Sequence, residues 1–375
     1  MFIPHLPPKS TIVVGMSGGV DSSVTAALLK DLGFNVIGLF MKNWDEKDAE
    51  GQCTTHTDSQ DVLRVADQLK IPHYTVNFVE EYREQVFKEF LTQLQLGRTP
   101  NPDILCNREI KFKCLLDAAM KMGADGLATG HYAQNHCAHG IHQLLKGVDT
   151  GKDQTYFLYT LQQSILQKVL FPVGGMVKSQ VRDYARQLGL ATAEKKDSTG
   201  ICFIGERNFT TFLKQYLPYQ IGNFETLAGK KVGTHHGIAY YTIGQRKGLG
   251  LGGEGAAWFV VDKDVSRNVV IVERGEDHPA LFSDFLIARE PSWIHGAPPT
   301  FPYPCKAKIR YRQSDQECII ESMPEGTLKV TFLTPQRAIT PEQSVVFYQG
   351  EVCLGGAIIE HRGPSYYECG LLVPH

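Results

Sequence analysis

The stretch Gly15, Met16, Ser17, Gly18, Gly19, Val20, Asp21, Ser22 constrains this chain more than any other. It follows the β-branched run at 11–14 and precedes apolar residues Val20, Val24, Ala27 and Leu28, a spacing that marks one face of a helix. The order is strand, glycine-rich turn, helix. There, backbone N–H groups converge on one point and the helix N-terminus adds partial positive charge. Glycines allow positive φ and let a phosphate approach the backbone closely. The plainer alternative is a glycine turn that starts a helix with a Ser or Asp cap. The full string directly after a strand points instead to a phosphate or pyrophosphate ligand.

The loop is neither of two common phosphate loops. The Walker pattern needs Gly-Lys-Ser/Thr at its end, and no lysine is present between 15 and 22. The dinucleotide fingerprint fails because the glycines fall at 15, 18 and 19. Ser-Gly-Gly-x-Asp-Ser at 17–22 resembles the pyrophosphate loop of the ATP-pyrophosphatase (adenine nucleotide alpha-hydrolase-like) superfamily, whose members cleave ATP between the α and β phosphates.

Downstream, strands over 35–41 and 73–78 alternate with helices over 58–70 and 80–96, with Asp58 or Ser59 as cap of the first. This alternation predicts an α/β fold with a doubly wound parallel sheet. Ligands in such sheets bind beyond the carboxyl ends of the strands, where the loop lies. Met41 ends the second strand on that edge, as core packing or against a purine. A further strand over 126–132 ends near Gly130, which lacks a side chain and admits an adenine or ribose. His131 follows it, either as a polar core residue or in the site.

Residues 97–107 contain two prolines and an Asn-Pro step, which predicts a stiff, non-helical loop before a helix over 109–122. Cys106 then sits just ahead of a helix N-terminus, with Arg108 and Lys111 nearby, and both features lower a thiol's pKa. Asp103 is placed as a proton acceptor. Cys202 lies in a second glycine-bounded loop, after Lys195 and Lys196. The nine cysteines are scattered with no Cys-x-x-Cys pair, so zinc and disulfide frameworks are poorly supported. Lys152, Asp153 and Gln154 read as a solvated turn before an aromatic run, and a helix over 179–190 is closed by Gly189.

After residue 206 the texture changes. One helix is expected over 208–217, then Gly-rich β-like sequence, and from 281 short evenly spaced strands that predict a small barrel or sandwich. Lys306, Lys308, Arg310 and Arg312 alternate and so should share one face of a strand, as a solvated face or a strip for RNA phosphates, with Tyr311 opposite. Net charge is −2 across 375 residues, so any nucleic-acid contact must be a local patch. No apolar run approaches the roughly 18–20 residues that span a membrane, and the N-terminus lacks signal architecture. A cytoplasmic protein is expected.

Six motifs in order identify a closer resemblance. They are Ser-Gly-Gly-Val-Asp-Ser at 17–22, Asn-Pro-Asp-Ile-Leu-Cys-Asn at 101–107, Gly-His-Tyr-Ala at 130–133, Lys-Asp-Gln-Thr-Tyr-Phe-Leu at 152–158, Thr-Gly-Ile-Cys-Phe-Ile-Gly-Glu at 199–206 and Gly-Gln-Arg-Lys-Gly-Leu at 244–249. Together they resemble the tRNA-specific 2-thiouridylases of bacteria and mitochondria. The resemblance implies a catalytic ATP-pyrophosphatase domain at 1–206, a small central β-rich domain at 207–280 and a tRNA-binding β-barrel at 281–375.

It also implies that ATP, with Mg2+, adenylates the C2 oxygen of the wobble uridine. A persulfide on Cys202 then carries sulfur, with Cys106 as nucleophile, Asp103 as acid–base group and a transient Cys106–Cys202 disulfide. Residues 15–22, Met41 and Gly130 would hold ATP. Asn101, Pro102 and Asp103 would meet the target base, flipped out of its stack. His131, Lys152, Asp153, Gln154, Tyr311, Arg312 and Gln343 would contact tRNA. The implied partners are tRNA and a sulfur-relay donor protein, with no membrane, and the chain is expected to be a monomer. An iron–sulfur cluster is not expected, although Asp103, Cys106 and Cys202 would suit one if they converge. The rival reading is a synthetase of the same superfamily that adenylates a small molecule, which needs neither cysteine.

Overall fold

The computed structural model describes residues 6–45, 54–197 and 209–374. Its first strand, β1 (Thr11–Met16), buries Ile12, Val13 and Val14 completely. Alternate side chains point to opposite faces of a strand, and both faces of this one are covered. Ile12, Val14 and Met16 pack on α1 (Val20–Asp31) and α2 (Thr54–Leu69), whereas Val13 faces the opposite cluster. Strands β2 (Asn35–Lys42), β3 (His73–Asn77), β4 (Gly126–Ala128) and β7 (Val169–Leu170) complete a parallel sheet in the order β3-β2-β1-β4-β7. This is the doubly wound sheet expected. Helices α3 (79–95) and α4 (102–121) cover the face of Val13, Leu39 and Met41, and α5 (Lys178–Gln187) covers the other.

Two helix starts differ from the reading of the sequence. α2 begins at Thr54, a turn before the expected caps, so Asp58 is an interior residue whose carboxylate pairs with Lys195 at 2.7 Å. α4 begins at Pro102, and residues 102–107 are helical where a stiff loop is expected. Asn101 is the N-cap, its Oδ1 accepting from the Asp103 amide at 3.2 Å, and Pro102 takes the first helical position. Asn-Pro serves turns and helix starts equally well, because both need a capping oxygen and a preset φ.

The hairpin of β5 (Ala133–Ala138) and β6 (Ile141–Lys146) leaves the parallel sheet altogether. The central strands β8 (Gly222–Glu225), β9 (Lys231–His235), β10 (Trp258–Asp264) and β11 (Val269–Arg274) form a separate sheet in the order β10-β11-β8-β9. Its core is Phe224, Val260, Val270 and Val272. The helix expected over 208–217 is described only as Phe209–Leu213.

The last strands are β12 (Phe282–Trp293), β13 (Tyr303–Lys308), β14 (Gln316–Ser322), β15 (Leu328–Arg337), β16 (Ser344–Gln349) and β17 (Val352–Arg362). They run β12-β15-β14-β13-β16-β17, and β12 pairs back with β17 through Leu286 and Arg362. That pairing makes a closed barrel rather than a sandwich.

β6 adds to this barrel, pairing Leu145 with Val352 and Leu144 with Cys353. Tyr348, Val346 and Cys353 of the barrel share one apolar cluster with Leu144, Tyr156 and Cys106. The buried Tyr156 hydroxyl donates to the Ser344 carbonyl at 2.9 Å. The parallel-sheet domain and the barrel are therefore joined by strand pairing and a shared core.

Candidate active site

The loop after β1 is drawn tight by its own side chains. Ser22 Oγ donates to the Gly19 carbonyl at 3.1 Å and accepts from the Ser17 amide at 3.2 Å. Ser23 Oγ donates to the same carbonyl at 2.9 Å. Gly18 has φ +76°, and a Cβ there would stand 2.7 Å from the Asp58 carbonyl, so only glycine fits without strain. Gly19 is the N-cap of α1 and supplies no side-chain cap, so no cap side chain occupies the first-turn amides where an anion would sit.

The remaining expected nucleotide contacts lie on the same edge. Met41 is buried at the end of β2, in the cluster that also holds Cys106. Gly130 follows β4, and a Cβ there would lie 2.8 Å from both the Asp21 carbonyl carbon and the Ser22 amide. β4 and the start of α1 thus touch through that glycine.

Asp21 would repel a phosphate if left alone. Instead its Oδ1 accepts from the Tyr132 hydroxyl at 2.8 Å, and Lys178 Nζ lies 2.7 and 2.8 Å from its two oxygens. Burial and the Asp21 charge push the Tyr132 phenol far above its usual range, so it stays a donor. Lys178 also reaches Asp197 at 2.8 Å, which Lys152 meets at 2.7 Å and Arg182 at 2.8 Å. Burial opposes the Asp197 charge, yet Lys152 and Lys178 outweigh it and hold the carboxyl well below the ordinary range. Tyr132, Lys178, Arg182 and Asp197 escape sequence reasoning, since their partners are distant in the chain and follow no local spacing.

Cys106 stands in the second turn of α4 and is fully buried, rather than ahead of the helix. Of the two bases expected near its thiol, Arg108 pairs with Glu109 at 2.7 Å, and Lys111 Nζ lies 3.5 Å from His131 Nε2. Asp103 is in the first turn of the same helix, on the cap made by Asn101 and Pro102. Asn107 Nδ2 donates to the Phe157 carbonyl at 3.0 Å, tying α4 to the aromatic run after Gln154. From Cys106 to Leu115 the helix widens into π-type turns, a departure frequent at functional sites. Cys202 lies outside the described residues.

Of the residues expected at tRNA, His131 and Asp153 are buried, Lys152, Gln154, Tyr311 and Gln343 are half-buried, and Arg312 is exposed. His131 is buried, its Nδ1 2.8 Å from Thr129 Oγ1. Burial, and secondarily Lys111, lowers its pKa well below the usual value. Asp153 is also buried, accepting from the Gly147 amide at 3.1 Å and from Thr155, so the tripeptide 152–154 is not a solvated turn. Gln154 Oε1 accepts from the Tyr132 amide at 2.9 Å. Gln343 Nε2 donates to the Thr99 carbonyl at 2.6 Å. Arg312 is exposed, its guanidinium 5.2 Å from the Tyr311 ring, which packs on Phe157 at 4.5 Å.

The expected basic strip is not one face. β13 ends at Lys308, whose ammonium lies 3.6 Å from Asp315 and 3.7 Å from Asp153. Arg310 turns inward to the carbonyls of Ile243 at 2.8 Å and Ala338 at 3.0 Å. Lys306 pairs with Glu317 at 3.2 Å.

Three family models cover most of the chain. One described as a tRNA methyl transferase HUP domain matches residues 10–206. A tRNA methyl transferase PRC-barrel domain matches 210–274, and an aminomethyltransferase beta-barrel domain matches 283–359. The chain is 61% identical over 368 residues to the tRNA-specific 2-thiouridylase MnmA of Protochlamydia amoebophila (strain UWE25), covering 98% of each. It is 56% identical to the protein of that name from Exiguobacterium sibiricum, over 94% of this chain and 95% of that one. Against the Staphylococcus aureus (strain bovine RF122 / ET3-1) protein of that name it is 57% identical, over 93% and 95%.

Proposed function

The chain belongs to the tRNA-specific 2-thiouridylase family, and we propose that its loop and cysteines divide the reaction between activation and sulfur delivery. It is a tRNA-uridine 2-sulfurtransferase, an enzyme of tRNA modification. The observation that carries this reading is 61% identity across 98% of both chains. The site's geometry agrees with it: a pyrophosphate loop suits an adenylating reaction, whereas a methyl transfer has no pyrophosphate to release.

ATP is the activating substrate. One feature of the site fits it: the N-terminus of α1 follows the glycine-rich loop and carries no side-chain cap, which leaves its first-turn amides for a phosphate. In our reading the loop at 15–22 takes the pyrophosphate and its Mg2+, with Met41 and Gly130 beside the nucleoside. The uracil C2 oxygen attacks the α-phosphate and becomes an AMP leaving group. Cys106 thiolate attacks the inner sulfur of a Cys202 persulfide, forming the Cys106–Cys202 disulfide and releasing hydrosulfide. Hydrosulfide adds at C2 and AMP departs, leaving the thiocarbonyl. An external thiol reduces the disulfide before the next turn. Asp103, one turn of helix before Cys106, handles the proton.

Of the residues assigned to tRNA, Lys152, Tyr311 and Arg312 face it in this reading. His131, Asp153, Gln154 and Gln343 shape that surface from beneath. A separate sulfur-relay protein loads Cys202, and the enzyme works as a cytoplasmic monomer. Among the described residues no helix is long and apolar enough to cross a membrane.

The test is to supply ATP, tRNA and a persulfide donor to the full chain. AMP and pyrophosphate should form only with tRNA present, and mass spectrometry should find 2-thiouridine in the product. Equal AMP formation without tRNA would sink the reading.

A further inference from the structure

Two parts of the chain outside the catalytic sheet converge on residues 97–99, immediately before the Asn101 cap of α4. From the central sheet, Lys263 on β10 donates its Nζ to the Gly97 carbonyl at 2.7 Å. Thr242 Oγ1 is 3.4 Å from Thr99 Oγ1. Gly97 has φ +72°, and a Cβ there would lie 2.8 Å from Val265 Cγ2, so the turn after β10 also presses on this point. From the barrel, Gln343 Nε2 takes the Thr99 carbonyl at 2.6 Å, the Pro341 carbonyl meets the Thr99 amide at 3.5 Å, and Glu342 pairs with Arg98 at 3.2 Å.

Central sheet and clamp are built together. Gln245, of the motif at 244–249, accepts from the Thr242 amide through Oε1 at 2.9 Å, and its carbonyl accepts from the Val260 amide of β10 at 3.0 Å. The motif therefore fixes Thr242 against the strand that carries Lys263.

Lys263 is an expensive way to hold a carbonyl. It is half-buried, and the Gly97 carbonyl is its ammonium's one hydrogen-bond partner among the described residues. Burial pushes its pKa down to about 8, with Asp262 opposing. A charge in such a place commonly costs stability relative to an apolar side chain of similar shape. What the charge supplies is a strong, directional bond to one backbone oxygen.

We propose that Lys263 is a positioning residue for sulfur transfer: with Thr242 and Gln343 it fixes residues 97–99, and so the entry of α4 that places Asp103 and Cys106. The proposal rests on the roles given to Asp103 and Cys106 above. It assigns the central domain a part in the chemistry. A displaced entry would carry the whole first turn of α4 with it, because the Asn101 cap and Pro102 couple that turn to the preceding chain.

The experiment compares wild type, Lys263→Met and Lys263→Arg as full chains. Amide hydrogen exchange across residues 99–106 should quicken about tenfold or more in K263M, the loss expected for a charged hydrogen bond, and return towards wild type in K263R. The kcat for 2-thiouridine formation should fall in K263M with KM for tRNA unchanged. The thermal midpoint of K263M should be equal to or above that of wild type, which a merely structural staple would not allow. Unchanged exchange in an active enzyme would overturn the proposal. So would a K263M chain that melts early or does not fold, since Lys263 would then be structural. Exchange needs no turnover, so a wild type that makes no 2-thiouridine would sink the site reading while leaving the clamp measurable.

Discussion

Lys178 Nζ stands 2.7 and 2.8 Å from the two carboxylate oxygens of Asp21, so the acid inside the phosphate loop is neutralised by a base 157 residues further along the chain. Both side chains are mostly buried, with 13% of Lys178 and 30% of Asp21 exposed, and the pair is only partly screened. Without the ammonium, Asp21 would face an incoming triphosphate as a bare like charge. Lys178→Met should weaken ATP binding about tenfold or more, since losing one partner of such a pair costs a few kcal/mol. Titration calorimetry of the full chain checks it. An unchanged Kd would put Lys178 outside the nucleotide site.

Gly130 gives a steric prediction. A Cβ there would lie 2.8 Å from backbone atoms of Asp21 and Ser22, which cannot rotate away as a side chain can. Gly130→Ala should cost about 1–3 kcal/mol, the range for forced overpacking, and should also disturb ATP binding by moving the start of α1. Gly252→Ala is the control, because nothing lies within 4 Å of its added Cβ. Urea unfolding of the two variants should separate them clearly. Equal midpoints would mean that β4 and α1 can part without cost.

What the sequence made legible was local, and what it hid was paired at long range. The run Ile12, Val13, Val14 and the glycines at 15, 18 and 19 encode strand and loop through branching and φ, properties of the residues themselves. The barrel was legible as regular strand spacing, but its closure depends on β12 meeting β17. The β5–β6 hairpin was invisible because its edge is completed by Val352 and Cys353, some two hundred residues away. Alternation of Lys306, Lys308, Arg310 and Arg312 suggested a basic face, yet the strand stops at Lys308 and buried acids and carbonyls take up the charges. Cys106 was identified by its motif, while its burial follows from a helix that starts earlier than the Asn-Pro step suggested. Lys178 and Lys263 left no signal, since an ion pair or a bond to a distant carbonyl has no period.

His131 supplies a pH dependence with a definite sign. Burial first, and Lys111 second, hold its folded pKa well below 6.5, the value expected when unfolded. As pH falls through about 6.5 the unfolded chain binds a proton that the native chain refuses, so stability drops towards acid, by at most about 1.4 kcal/mol per pH unit from this group. Above that pH the contribution is flat. His131→Gln does not titrate, so its stability relative to wild type should improve as urea unfolding is repeated from about pH 7.5 down to about 5.5. A constant difference between the two proteins would show that His131 takes up a proton in the folded state.

The two cysteines can be separated by what each variant accumulates. Cys202→Ser should abolish 2-thiouridine while adenylated tRNA and pyrophosphate still form, because the loop at 15–22 and Asp21 are untouched. Cys106→Ser should load a persulfide on Cys202 and stall, since nothing attacks the inner sulfur. Burial adds a second readout: Cys106 is fully buried, whereas Cys137 and Cys369 are exposed. Brief alkylation without tRNA should label Cys137 and Cys369 well before Cys106, as reaction requires an accessible thiolate. If tRNA binding opens the start of α4 to bring the base to Asp103, Cys106 labelling should rise when tRNA is added and ATP withheld. Normal 2-thiouridine from Cys202→Ser would end the persulfide mechanism. Rapid Cys106 labelling without tRNA would instead mean that α4 already opens in the free enzyme, and that tRNA is not what exposes the nucleophile.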